Sequence, residues 1–330
     1  MSEPLLRAEN LGKTFVGGGG FSMRAKQPGV RAVDGVSFSI ERGETLAVVG
    51  ESGCGKSTMG RLLLRLIEAT DGKVFFEGTD INALSPSEMR QMRRKAQMVF
   101  QDPYGSLSPR RSIVDIVAEP LEAFGMVRNQ RDKRERVAEL LTQVGLPASI
   151  MDRNPRQFSG GQRQRIGIAR AISVDPSFIV ADEPVSALDV SVQAQVVNLL
   201  QDLQDKKNFS YLFIAHDLAV VRHIADRVMV MYLGRVVEIG PKRQIYTVPQ
   251  HPYTQALLSA APEPDPDVRV KRIILEGDVP SATRMPTGCA FHTRCPLVQP
   301  ICKAQRPELR EVAPGQSAAC HFAVPNPIAV

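Results

Sequence analysis

Long apolar stretches are missing: nowhere in the 330 residues do about 18 consecutive apolar side chains occur. No segment reads as a membrane span, and the opening Met1-Ser2-Glu3-Pro4-Leu5-Leu6-Arg7 lacks the long apolar core of a secretion signal. The expectation is a soluble, cytosolic chain that meets any membrane through a partner. Cysteine is scarce and unevenly placed, with Cys54 alone and Cys289, Cys295, Cys302 and Cys320 crowded near the end. Cytosolic proteins seldom keep structural disulfides, so four clustered thiols point first to a metal or cluster site. The C-x2-C pairs common in structural zinc sites are absent, the spacings being C-x5-C and C-x6-C. Single-sign charge is also limited, because Lys and Arg interleave with Asp and Glu along most of the chain. The net charge of +6 is therefore a weak argument for nucleic-acid binding.

What is present is an ordinary globular composition, 43% hydrophobic, long enough for one large core and a smaller unit. The chain is organised around Gly50-Glu51-Ser52-Gly53-Cys54-Gly55-Lys56-Ser57-Thr58, which matches G-x-x-x-x-G-K-[ST]. Leu46 to Val49 before it form a short apolar run of the buried-strand kind, and Leu62, Leu63, Leu66 and Ile67 after it repeat with helical spacing. Strand, glycine turn and helix are the context a phosphate-binding loop requires. Glycines let backbone N–H groups converge on phosphate oxygens and the helix offers its positive end. Lys56 would reach the β and γ phosphates, and Ser57 would ligate Mg²⁺. Cys54 reads as a small filler whose thiol the helix terminus would favour ionising.

Elsewhere the pattern predicts a strand over Leu5 to Phe15, a glycine-rich insertion to Val30, and strands over Arg31 to Ile40 and Glu44 to Val49. A glycine-bounded edge strand follows at Gly72 to Gly78, then helical periodicity from Leu84 to about Val144. The charge runs Arg93 to Lys95 and Arg131 to Arg136 read as solvated helix faces. Apolar strands recur at Phe178 to Ala181 and Tyr211 to Ala215 with a helix between them, the alternation of a parallel α/β sheet. Arg227 to Tyr232 and Arg235 to Ile239 read as a hairpin. Past Gln250 proline becomes frequent, which predicts a loop-rich appendage and not more of the same sheet.

Two further constellations carry chemistry. Phe178-Ile179-Val180-Ala181-Asp182-Glu183 is an apolar strand ending in two carboxylates, placed for Asp182 to hold Mg²⁺ and Glu183 to orient or deprotonate water. Phe158-Ser159-Gly160-Gly161-Gln162 sets a hydroxyl and two glycines at a helix start, a second anion site.

These motifs, with Gln101 in Val99-Phe100-Gln101-Asp102, Ser186-Ala187-Leu188-Asp189 and His216, occur in the order and approximate spacing of the ATP-binding cassette ATPases. The resemblance spans about residues 5 to 250. It implies an α/β P-loop NTPase cassette with a mostly parallel core sheet, an antiparallel β subdomain and a helical subdomain at about 84–170, residues 1–250 in all, then an extension over 251–330. It also implies an ATP site using Gly50, Ser52, Gly53, Gly55, Lys56, Ser57 and Thr58, with Mg²⁺ held by Ser57, Gln101 and Asp182. Glu183, His216, Gln101 and Lys56 would be the catalytic groups, with His216 at the γ-phosphate. Ser159, Gly160, Gly161 and Gln162 would complete the ATP site of a second subunit in a head-to-tail dimer, with Asp189 across the interface. An aromatic ring should stack on adenine; Phe15 is the candidate and Phe21 the competitor.

The runs Val99 to Arg110, Ser186 to Gln195 and His251-Pro252-Tyr253-Thr254-Gln255-Ala256-Leu257-Leu258 resemble the subfamily that energises dipeptide, oligopeptide and nickel uptake. Pro184-Val185-Ser186 and Met231 to Arg235 look like the second of its two nonidentical ATPases. The resemblance implies a heterodimer beneath two permease subunits, on the cytoplasmic side of the membrane, fed by a solute-binding protein and using no nucleic acid. Gly288-Cys289-Ala290-Phe291-His292-Thr293-Arg294-Cys295-Pro296, with Cys302 and Cys320, resembles an extension that holds a [4Fe–4S] cluster in some dipeptide importers, the alternatives being zinc, and free thiols or a disulfide. His292 and His321 are adjacent candidates. The competing readings are an importer for nickel or another solute, and a soluble cassette ATPase acting on nucleic acid or the ribosome. The single cassette and the absence of a long coiled coil between Lys56 and Ser159 argue against the latter.

Overall fold

The computed structural model describes residues 3–16, 29–260 and 272–324. In chain order the strands are β1 (Leu6–Phe15), β2 (Val30–Ile40), β3 (Thr45–Val49), β4 (Asp71–Phe76), β5 (Thr79–Asp80), β6 (Ala96–Val99), β7 (Phe178–Asp182), β8 (Ser210–Ile214), β9 (Arg227–Tyr232), β10 (Arg235–Pro241), β11 (Arg310–Ala313) and β12 (Gln316–Ala318). The helices are α1 (Lys56–Leu63), α2 (Pro86–Lys95), α3 (Ile113–Ala123), α4 (Gln130–Gln143), α5 (Gly160–Ile172), α6 (Val190–Lys207), α7 (Leu218–Ile224), α8 (Lys242–Thr247), α9 (Pro252–Ala260) and α10 (Pro300–Ala304). They fall into two units, the first drawn from Met1–Ile40, Leu46–Asn82 and His216–Val330, the second from Glu41–Thr45 and Ala83–Ala215.

In the first unit β2-β1-β4-β5 form an antiparallel sheet, with Leu6 opposite both Ile40 and Phe76. A second set runs β11-β12-β10-β9-β3. Its inner pair is parallel, Val48 opposite Met229, and every residue of β3 is buried, as expected of a strand covered on both faces. The prediction of an appendage outside this sheet is corrected here. β12 adds antiparallel to β10, pairing Glu238 with Ala318 and Ile239 with Ser317, and β11 follows. These strands are only three and four residues long, too short to interrupt a proline-rich reading. Fully buried Glu238 locks the addition in place. Its carboxylate accepts from the Gln250 and His251 N–H groups at 2.8 and 2.9 Å and from Gln316 Nε2 at 2.8 Å, tying β10 to the start of α9 and to β12.

The second unit contains the parallel set β8-β7-β6, with Val180 opposite both Leu212 and Met98. β6 was concealed inside the predicted helical stretch, because it follows α2 without a break and carries a partly exposed Gln97. Helices α3, α4 and α5 pack through Ile116, Val117, Leu121, Val137, Leu141, Ile166 and Ala169, all buried. The Arg93–Lys95 run is solvated as predicted, but the second run has an exception. Arg131 is exposed and pairs with Glu135, whereas Lys133 is buried and bridges Asp115 at 2.6 Å and Glu122 at 2.7 Å on α3.

Candidate nucleotide site

The glycine turn lies between β3 and α1 in the first unit. Gly50 has φ 151°, and a Cβ there would fall 2.2 Å from the Met231 carbonyl oxygen; Gly55 has φ 105°, and a Cβ would fall 2.1 Å from that of Ala32. Only glycine fits either place without moving backbone. Gly234 N–H donates to the Cys54 carbonyl at 2.8 Å, fixing the loop against the β9–β10 turn. Lys56 is buried, and its Nζ donates to the carbonyls of Gly50 at 2.7 Å and Glu51 at 3.0 Å. Cys54 is buried beside it, and burial pushes the thiol up in spite of Lys56, so the filler role survives and easy ionisation does not. Ser57 and Thr58 begin α1 and are partly exposed, and Ser52 and Gly53 are exposed at the turn.

Phe15 ends β1 with its ring 43% exposed and Lys13 Nζ 5.3 Å from the ring centroid, a side chain open to stacking. Phe21 lies outside the described residues. His216 belongs to this unit and precedes α7, whose first turn Asp217 caps through the Ala219 N–H at 2.7 Å.

In the second unit the structure brings Gln101 and Glu183 together across 82 residues: Gln101 Nε2 donates to Glu183 Oε2 at 2.9 Å. Glu183 has φ 46°, a left-handed backbone held by its N–H donating to the Ile214 carbonyl at 3.0 Å. Asp182, at the end of β7, is 2% exposed. The Gln101 amide oxygen and the Asp182 carboxylate of this unit, and the Ser57 hydroxyl of the first, are each hard oxygen donors of the kind Mg²⁺ takes.

Ser159 caps α5. Its hydroxyl accepts from the Gln162 N–H at 3.3 Å, and Gln162 Oε1 accepts from the Ser159 N–H at 3.1 Å. Both are exposed, with Gly160 and Gly161 between them on the helix's first turn. Asp189, exposed, caps α6 through the Val192 N–H at 3.0 Å, and that hydrogen bond holds its carboxyl below the usual range. Two residues unreadable from sequence join the Gln101 loop to α5. Arg163 stacks 3.8 Å from the Tyr104 ring centroid, and Arg170 Nη1 donates to the Ser106 carbonyl at 2.7 Å.

The iron–sulfur expectation, and zinc with it, is not supported. Among the described residues no group of three or more His, Cys, Asp or Glu side chains is arranged to hold a metal ion. Burial pushes up the thiols of Cys289 and Cys320 and takes Cys295 to about 11, and the neighbouring cysteines raise Cys289 and Cys295 further. Cys302 is buried on α10, while His292 Nδ1 and His321 Nε2 lie 2.9 and 3.0 Å from the carbonyl oxygens of Cys289 and Gln305. No described helix is long and apolar enough to cross a membrane.

Comparison with known proteins agrees with this geometry. Residues 33–186 match the family "ABC transporter", and residues 237–302 match "Oligopeptide/dipeptide transporter, C-terminal region". The oligopeptide transport ATP-binding protein AppF of Bacillus subtilis is 53% identical over 97% of this chain and 98% of its own length. A probable peptide ABC transporter ATP-binding protein of Sinorhizobium fredii, y4tS, is 52% identical over 98% and 92%. Among solved structures, the dimeric cassette MJ0796 bound to ADP and phosphate superposes with a TM-score of 0.64 at 29% identity, covering 72% of this chain and 99% of that one. CbiO1 of Clostridium perfringens gives 0.64 at 26%, covering 75% and 92%. The fold is the ABC cassette, and the chain belongs to the ABC transporter family of ATPases, in the group that carries the oligopeptide/dipeptide transporter C-terminal region.

Proposed function

We propose that this chain is an ATP-hydrolysing subunit that energises peptide uptake through an ABC importer. The observation that carries this reading is a similarity of about half the residues, extension included, to proteins named for oligopeptide and peptide transport. The loop Gly50–Thr58 takes the phosphates, with Lys56 on the β and γ groups, and Phe15 takes the adenine. Ser57, Asp182 and Gln101 would hold Mg²⁺, which would supply charge neutralisation for the transferred phosphoryl group. Glu183 aligns the attacking water, steadied by the Gln101 hydrogen bond, and His216 faces the γ-phosphate.

The exposed Ser159–Gln162 helix start serves the nucleotide of a second, nonidentical ATPase, so that ATP binding closes the pair and hydrolysis reopens it. Two permease subunits and a solute-binding protein complete the assembly, with this chain on the cytoplasmic face. The test is Glu183→Gln in the assembled transporter. Hydrolysis should fall by orders of magnitude while ATP binding persists and peptide uptake stops; unchanged turnover would overturn the assignment, and copurifying nucleic acid in place of permeases would overturn the transport role.

A further inference from the structure

Arg294 of the C-terminal extension reaches the phosphate loop 243 residues away in sequence. Its Nη1 donates to both carboxylate oxygens of Glu51, at 3.0 and 2.9 Å. The arginine side chain is 9% exposed and the glutamate's 27%, so the pair is largely withdrawn from water. Burial works against the guanidinium's charge, yet the hydrogen bonds it donates to the Glu51 carboxylate outweigh it and Arg294 sits above its ordinary range.

Glu51 is held at its other polar groups too. Its N–H donates to Tyr253 Oη at 2.8 Å, and its carbonyl accepts from Lys56 Nζ at 3.0 Å. Tyr253 is itself fixed, its ring packed 4.8 Å from Tyr232 and 5.4 Å from Phe291, all three rings no more than 1% exposed. Phe291 stands three residues before Arg294. A small cavity of about 170 Å³ shows the same adjacency, lined by Glu51 to Cys54 of the loop and by Val279, Pro280 and Ala282 of the extension. The lysine of the loop therefore rests on a residue whose backbone and side chain are both held from beyond residue 250.

We propose that Arg294 is a positioning residue for nucleotide binding: through Glu51 the extension sets the geometry of the phosphate loop and of Lys56, and so sets the affinity for ATP. The inference rests on the reading that Gly50–Thr58 binds the phosphates of ATP. Removing the guanidinium releases the loop's second residue and leaves an unpaired carboxylate beside an anion site, and both effects weaken binding of a polyphosphate. Gln101, Asp182 and Glu183 are untouched, so the chemical step itself should be preserved.

The test measures Mg-ATP affinity of the full-length chain by calorimetry and KM and kcat for ATP in the assembled transporter. Arg294→Met should raise Kd and KM about tenfold with kcat within about twofold, Arg294→Lys should restore most of the loss, and Glu51→Gln should weaken binding to a smaller degree. In the cycle, Glu51→Gln combined with Arg294→Met should be no weaker than Arg294→Met alone, because the stranded carboxylate is then gone. An Arg294→Met chain that keeps its circular dichroism and binds ATP as the parent does, or a strictly additive cycle, overturns the proposal. If Arg294→Met does not fold, Arg294→Lys and Glu51→Gln decide it alone. Lys56→Ala separates the two layers. Loss of binding there with normal binding in Arg294→Met defeats only the positioning role, whereas normal binding in Lys56→Ala defeats the loop reading and this one with it.

Discussion

Mild acid should loosen the extension through one histidine. His251 begins the segment that leads into α9, is 1% exposed, and packs its ring 5.5 Å from Phe291 with Nδ1 accepting the Tyr253 N–H at 3.1 Å. Burial lowers it from the ordinary 6.5 to about 3, so it stays neutral in the fold while the unfolded chain takes up a proton. A base depressed in this way contributes stability that is complete above pH 6.5 and is lost as the pH falls towards 3. At about pH 5 the unfolded state has gained roughly 2 kcal/mol, from about 1.36 kcal/mol for each of 1.5 units. Glu238, which accepts the His251 N–H, pulls the other way. Burial raises its carboxyl, so that group recovers stability as the pH falls through its raised value. Comparison with His251→Gln isolates the histidine, since the variant keeps Glu238 and a side-chain acceptor and loses only the titration. Urea unfolding followed by circular dichroism at about pH 7 and about pH 5 should show the parent losing about 2 kcal/mol more than the variant. Equal losses would refute the reasoning.

Two other outcomes follow from the site. Gly55→Ala places a Cβ 2.1 Å from the Ala32 carbonyl at a φ of 105°, and should weaken ATP binding by more than about tenfold in a titration with nucleotide while the chain still folds. Gln101→Glu sets a second carboxylate where an amide now donates to Glu183 at 2.9 Å. One of the two must then hold its proton to higher pH, so the acid limb of the pH–hydrolysis profile of the assembled transporter should move upward; an unchanged limb would show that the pair does not touch during turnover.

The wholly buried strands were the plainest in the sequence, although β1, β2 and β4, of mixed burial, were also legible. β3, β7 and β8 are buried along their whole length and appear as apolar runs, and the loop after β3 announces itself by its glycines, Lys56 and Ser57 set between an apolar run and a helical one. What stayed hidden depended on distant partners. β6 takes its identity from β7, which pairs Met98 with Val180 some eighty residues on, and β12 takes its identity from β10. Lys133 looked like one more solvated cation until Asp115 and Glu122 of another helix supplied its counter-charges. The cysteines show the converse. Their spacing marks a cluster in sequence, but a metal site also needs side chains arranged around one point, which spacing alone does not encode, and among the described residues no such group is found.

The addition of β12 to β10 has a bearing on how this protein can be cut and rebuilt. An accessory domain joined by a linker can be removed and leave a finished cassette. Here the cut would bare the backbone N–H and C=O groups along Glu238 and Ile239, an open sheet border of the kind on which other chains polymerise. It would also leave the Glu238 carboxylate without its Gln316 donor. The last segment of the chain thus works as a hem, and a soluble minimal cassette of this sequence would need a replacement border before anything else.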